Sequence, residues 1–286
     1  MKKIIESSFL FFFFYLFKIL GVRISSFLGG VILYFYGLFS KRNTIIKKNL
    51  KRVFPKITES KSKELIHKMW FHFGRVIGEY PNLNRLEVGK NKNITISNQN
   101  NLLDPLKKNK NCLFFSAHIG NWELTSHLLT KLGFKIHFIY RAPNNRYADN
   151  LLRKIRKSYG VGLIRKGKYG ARQCLKILNK KGGHIGMLID QKMNDGINSL
   201  FFNELVKSPS AIAKFALKFK CPIIPAVCIR KNSVFFNVSY LKPISVSMIK
   251  KLGSEKKIMD YLNKYVEKWI KQNPEQWIWF HNRWND

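Results

Sequence analysis

Apolar residues run through this chain in short blocks separated by polar stretches of helical periodicity. Blocks at 93–97, 112–117, 135–140, 161–164, 184–189, 223–229 and 234–241 have the length and composition of strands. Between several of them, stretches at 121–132, 145–159, 169–180 and 209–219 read as helices. Such alternation predicts an α/β fold: a mixed, largely parallel central sheet flanked by helices, with a site at the carboxyl ends of the strands. Ahead of the sheet, residues 58–77 predict a further helix, with Thr58 as its cap and Pro55 just before it.

The N-terminus breaks this pattern. Residues 7–22 are almost wholly apolar, interrupted only by Lys18, and a second apolar stretch at 24–39 follows Arg23. A span needs roughly 20 apolar residues, so neither stretch alone is long enough unless Lys18 snorkels. No small-residue cleavage site follows the first run before more apolar sequence begins, which argues against a removable signal peptide. The competing reading is a buried helix, but so many consecutive Phe residues would need cover on every side.

Charge extends the membrane reading. Lys41, Arg42, Lys47, Lys48, Lys51, Arg52 and Lys56 follow the apolar segment, and Glu6 is the only acid before Glu59. Basic residues beside an apolar anchor are attracted to anionic lipid by about 1 kcal/mol each and favour the cytoplasmic side. Across all 286 residues the formal net charge is +36, which implies polyanionic partners: nucleic acid, phospholipid headgroups or a phosphorylated substrate. Cys112, Cys174, Cys221 and Cys228 form no CxxC pair and predict reduced thiols.

Candidate chemistry sits where strands end. His118 directly follows the run 112–117, and Glu123 lies five residues on, so a general base and an acid fall close together in sequence. Arg141 follows the strand ending at Tyr140, and Asp190-Gln191 follows the strand ending at Ile189. Three strand ends carrying polar groups predict one site. The sequence contains no Walker A loop, no GxGxxG after a strand, no HExxH and no GxSxG. No acidic cluster of metal-ligand spacing accompanies Asp190 beyond Asp195. His67, His127, His137 and His184 have no evident partner and are expected to be structural.

Over nearly its whole length the chain resembles the bacterial lipid A biosynthesis lauroyl/myristoyl (late) acyltransferases. The resemblance is carried by the apolar N-terminus, the basic segment ending in Asn49-Leu50-Lys51-Arg52-Val53-Phe54-Pro55, the HxxxxE box His118–Glu123, and Tyr140-Arg141-Ala142-Pro143. Further on it includes Arg156 before Gly160, Asp190-Gln191, Phe201-Phe202, Ser208-Pro209, Pro225 through Arg230, and the closing Asn273-Pro274-Glu275-Gln276-Trp277 to Trp284. The chain departs from the family pattern at Asn203 and Ser210, where glycine is usual.

The resemblance implies a glycerolipid-acyltransferase-like α/β domain over 41–286 behind a membrane-associated segment, 1–40. It implies transfer of a fatty acyl group from acyl-carrier protein, or acyl-CoA, to a hydroxyl on an acyl chain of a lipid A precursor. The acyloxyacyl ester would form at the cytoplasmic face of the inner membrane. That chemistry calls for no cofactor and no metal, and it gives the basic surface a partner other than nucleic acid. His118 would act as general base with Glu123 orienting its imidazole, and Gly120 and Asn121 amides would face the oxyanion. Arg141, Arg156 and Asp190 would bind substrate, Asp190 through an arginine or the acceptor itself. The alternatives are a glycerolipid acyltransferase, which carries Asp at the sixth position of the box and lacks this Trp-rich ending, and a basic nucleic-acid-binding protein, which leaves the apolar N-terminus unexplained.

Overall fold

A computed structural model describes residues 2–108 and 110–284. Among them, β1 (Ile94–Ser97), β2 (Cys112–Ser116), β3 (Ile136–Tyr140), β4 (Gly162–Arg165), β5 (His184–Leu188), β8 (Ile223–Asn232) and β9 (Phe235–Tyr240) form one sheet in the order β1-β9-β8-β2-β5-β3-β4. All neighbours are parallel except β8 and β9, which are antiparallel. Every strand expected from the apolar blocks is therefore present. Central β2 is buried on both faces: Leu113 and Phe115 join one core, Cys112 and Phe114 the other. Covering a strand on both sides is what a continuous apolar run requires.

The helices are α3 (Glu59–Glu79), α6 (Arg146–Ser158), α7 (Lys168–Leu178), α8 (Ala211–Phe219) and α10 (Glu255–Gln272), together with α2 (Asn43–Val53), α4 (Asn100–Lys107), α5 (His127–Lys131) and α9 (Val246–Leu252). Thr58 caps α3 by accepting from the Lys61 amide (3.2 Å), as its sequence position suggests. Asn145 caps α6 by accepting from the Tyr147 and Ala148 amides. The expected helix at 121–132 is different: a 3-10 turn, Trp122–Ser126, leads into the short α5. Gly120 precedes that turn with φ +58°, and a Cβ there would collide with the Cys228 carbonyl.

A hairpin that the sequence pattern did not reveal, β6 (Ile197–Phe201) with β7 (Glu204–Ser208), projects beside α10. Its two turn residues, Phe202 and Asn203, both have positive φ (50° and 62°), the conformation of a type I′ turn. Asn203 thus holds the left-handed geometry that the usual glycine would hold. Ser210 has an ordinary φ of −93° and needs no glycine.

The apolar N-terminus is α1 (Lys2–Leu38), broken at Gly21 (φ 74°, ψ 170°), close to the gap between the two apolar stretches. The second half crosses α3 at close range. A Cβ on Gly29 would meet the backbone of Gly74 and Gly78, so the crossing depends on small residues. The first half lies against the domain through Asn82, which donates to the Phe17 carbonyl (2.9 Å), and through an Asn145–Ser7 contact (3.2 Å). The outer face is not covered: Phe9, Phe12, Tyr15, Ile19, Phe27, Phe35 and Phe39 are exposed, Ile19 by 82 % and Phe39 by 87 %.

Candidate active site

In the parallel pairing of β2 with β5, Ser116 stands opposite Leu188. Two residues beyond this register, His118 and Asp190 therefore meet. His118 Nδ1 lies 2.9 Å from Asp190 Oδ1, and the His118 amide donates to Oδ2 (3.0 Å). Trp277 Nε1 also donates to Oδ2 (2.8 Å). Burial pushes the Asp190 carboxyl up, but the His118 charge and these three hydrogen bonds outweigh it and hold the group at about 2. A carboxylate accepts only, so His118 carries its proton on Nδ1 and keeps Nε2 as the basic nitrogen.

The acid beside His118 is therefore Asp190, not Glu123. The five donors to Glu123 all come from elsewhere: Arg156 Nε (2.9 Å) and Nη2 (2.6 Å), Tyr80 Oη (2.9 Å), Tyr159 Oη (2.7 Å) and Trp122 Nε1 (3.2 Å). Burial pushes this carboxyl up as well, yet the Arg156 charge and the hydrogen bonds bring it down to about 2. The two tyrosines, desolvated beside an anion, are raised and stay neutral donors. Two neighbours in the box thus serve separate clusters, because the turn after Gly120 carries Glu123 toward α6 and away from the imidazole.

Both clusters open into one cavity of about 390 Å³. His118, Glu123, Arg156, Tyr80 and Tyr159 line it, with apolar walls from Phe138, Ile139, Leu152, Val161, Met187 and Leu188. Arg141, Lys166 and Lys192 add positive charge, and Arg141 is exposed at the rim. Arg156 reaches the cavity already committed to Glu123, with its guanidinium 5.8 Å from the centre of the Tyr140 ring. Asp190 lies behind His118 with no exposed side-chain surface, and its oxygens bond to His118 and Trp277 rather than to an arginine or toward an acceptor. The Gly120 amide donates to the Gln276 carbonyl (3.0 Å), so it does not face the cavity as an oxyanion donor.

The C-terminal segment underpins this arrangement. Ile119 and Trp277 form an antiparallel bridge, and the Ile278 amide donates to the His118 carbonyl (3.3 Å). Asn49 of α2 donates to the carbonyls of Trp279 (2.9 Å) and His281 (3.0 Å), joining two motifs from opposite ends of the chain. His281 Nε2 in turn accepts from the Lys192 amide (3.0 Å), and burial lowers this imidazole to about 4. Trp277, His281, Tyr80 and Tyr159 were not singled out as site residues from the sequence. Their only signal was membership of the Trp-rich ending, for the first two, and for the tyrosines there was none. His127, read as structural, donates from Nε2 to the Leu83 carbonyl (3.0 Å) in the interior.

A family model for bacterial lipid A biosynthesis acyltransferases matches residues 2–286. The chain belongs to this family. A search of curated proteins finds no match. As a lipid A biosynthesis acyltransferase, the protein carries out acyl transfer in the synthesis of lipopolysaccharide.

Proposed function

We propose that this acyltransferase moves a fatty acyl chain from the thioester of acyl-carrier protein, or of coenzyme A, onto a hydroxyl of an acyl chain of a lipid A precursor. The observation that carries the mechanism is the Nδ1 bond from His118 to a buried, ionised Asp190, which leaves Nε2 basic at a cavity of acyl-chain dimensions. His118 Nε2 takes the proton of the acceptor hydroxyl as that oxygen attacks the thioester carbonyl. Asp190 stabilises the imidazolium that forms. Collapse of the tetrahedral intermediate breaks the carbon–sulfur bond, and the departing thiolate takes the proton from Nε2. The acyloxyacyl ester results without an acyl-enzyme.

Glu123 acts in this reading by holding Arg156 and the two tyrosines in the cavity wall, so it is a positioning residue. Arg156 and Arg141 bind substrate, with Arg141, Lys166 and Lys192 attracting the phosphates of the precursor and the acidic surface of a carrier protein. The exposed apolar face of α1 and the basic residues from Lys41 to Lys56 support a position on the cytoplasmic face of the inner membrane, against anionic lipid.

Incubating the purified protein with an acyl-carrier-protein thioester and a lipid A precursor tests the reading. The expected product is heavier than the precursor by one ester-linked acyl chain. Acylation of glycerol phosphate in place of the lipid A precursor would instead assign the protein a glycerolipid acceptor.

A further inference from the structure

A second cavity, of about 660 Å³, shares no lining residue with the catalytic one. It is a groove between the second half of α1 and the outer side of α3, reaching the end of β8. Val31, Tyr34 and Phe35 of α1 and Phe71 of α3 form an apolar wall continuous with the exposed apolar face of α1. Arg75 lies within it, half-buried, its guanidinium 5.7 Å from the centre of the Phe71 ring.

Arg75 has no carboxylate in direct contact among the described residues, and Glu79 acts on it only through space. Arg75 Nε donates to Ser26 Oγ (3.0 Å), and among the described residues it forms no ion pair. The nearby Glu79 carboxylate is already taken: Arg230 binds both oxygens, Ser26 Oγ donates to Oε1 (2.6 Å) and Asn121 Nδ2 to Oε2 (2.7 Å). Burial and the adjacent Arg230 charge lower Arg75 to about 10. At the rim Lys68 is paired with Glu64, Lys231 and Glu275 are of opposite sign, and Arg230 is paired with Glu79, so the excess positive charge resides with Arg75.

We propose that this groove holds one anionic phospholipid of the bilayer, its phosphate on Arg75 and an acyl chain along Val31, Tyr34 and Phe35. A half-buried guanidinium beside an apolar wall, opening where the protein meets lipid, matches a molecule with an anionic head and an apolar tail. The site also reaches the catalytic turn. Ser26 and Glu79 connect Arg75 to Asn121, and His72 donates from Nε2 to the Gly120 carbonyl (3.2 Å), so occupancy is linked to the segment that carries His118.

The test is native mass spectrometry of the full-length protein released from nanodiscs of mixed phosphatidylglycerol and phosphatidylcholine. It reads lipid retention without turnover, so its failure is distinct from failure of the acyl-transfer reading. Wild-type protein is expected to retain one phosphatidylglycerol in preference to phosphatidylcholine. Arg75→Gln, which removes a charge-assisted contact, and, with Arg75 intact, Val31→Trp, which fills the path of the acyl chain, should each lower that retention by about tenfold. Lys250→Gln, the same charge change at an exposed position on α9, should leave retention intact. Inorganic phosphate in millimolar excess should not displace the lipid. Equal retention of the two lipids by wild type, wild-type retention in both groove variants, or displacement by phosphate would each overturn the proposal.

Discussion

His118 Nδ1 and Asp190 Oδ1 lie 2.9 Å apart although 72 residues separate them in the chain. The contact follows from strand pairing, and it assigns the acid partner of the histidine to the segment just after β5 rather than to the box in which the histidine occurs. Asp190→Asn keeps the size of the side chain but removes the charge and presents an amide to Nδ1, favouring the wrong tautomer. Turnover is expected to fall about a thousandfold or more with little change in the affinity for donor, as for other histidine–aspartate pairs. Steady-state kinetics on the purified variant check this.

Glu123 makes a different prediction. Glu123→Gln leaves Arg156 buried without its charge partner, and breaking such a pair costs about 3–5 kcal/mol. The variant should therefore lose stability along with activity, seen as a lower urea midpoint. A stable but inactive Glu123→Gln protein would mean that this carboxylate touches the reacting groups.

Gly120→Ala tests the backbone that separates the two clusters. The φ of +58° and the collision of any Cβ with the Cys228 carbonyl are both incompatible with alanine. A stability loss of about 2 kcal/mol or more is expected, together with loss of activity, because His118 lies on the same turn. Thermal unfolding measured beside turnover checks both.

Stability should fall with acid in two windows. His184 and His281 are lowered from 6.5 to about 4 by burial, so they are held neutral in the folded state and protonate more readily when unfolded. Their contribution is present above pH 6.5 and declines as pH falls toward 4. Glu123 and Asp190, lowered from 4.5 and 3.8 to about 2, contribute stability above those unfolded values that is lost as pH falls through the folded ones. Urea midpoints measured from pH 7 downward should decrease throughout, and a rise on acidification would contradict the assigned partners.

The exposed face of α1 predicts how the protein is held. Washing membranes at about 1 M salt, where the screening length is about 3 Å, removes proteins bound only by charge. This protein should remain, since Phe9, Phe12, Ile19 and Phe35 present apolar surface that salt does not weaken. Release into the wash would assign the attachment to the basic segment alone.

The sheet was legible because buried parallel strands are short apolar blocks, and all seven such blocks are strands. Strand ends at Tyr140 and Ile189 pointed to Arg141 and Asp190 for the same reason. What was not legible was the partner of each residue. Closeness in sequence suggested that Glu123 serves His118, whereas one positive φ at Gly120 sends it to α6, and the register of β2 on β5 brings Asp190 into its place. The hairpin β6–β7 escaped because its residues alternate without a strong apolar run, and Tyr80 and Tyr159 gave no signal because only the tertiary fold brings them to Glu123.

In the proposed reaction His118, backed by Asp190, removes a proton from a lipid A acyl hydroxyl. The most direct test of this step is the lipid A mass profile of a host lacking its own late acyltransferases, expressing either wild type or His118→Ala at equal membrane abundance. One added acyl chain is expected with wild type and none with His118→Ala. Undiminished addition by the variant would contradict this role of His118.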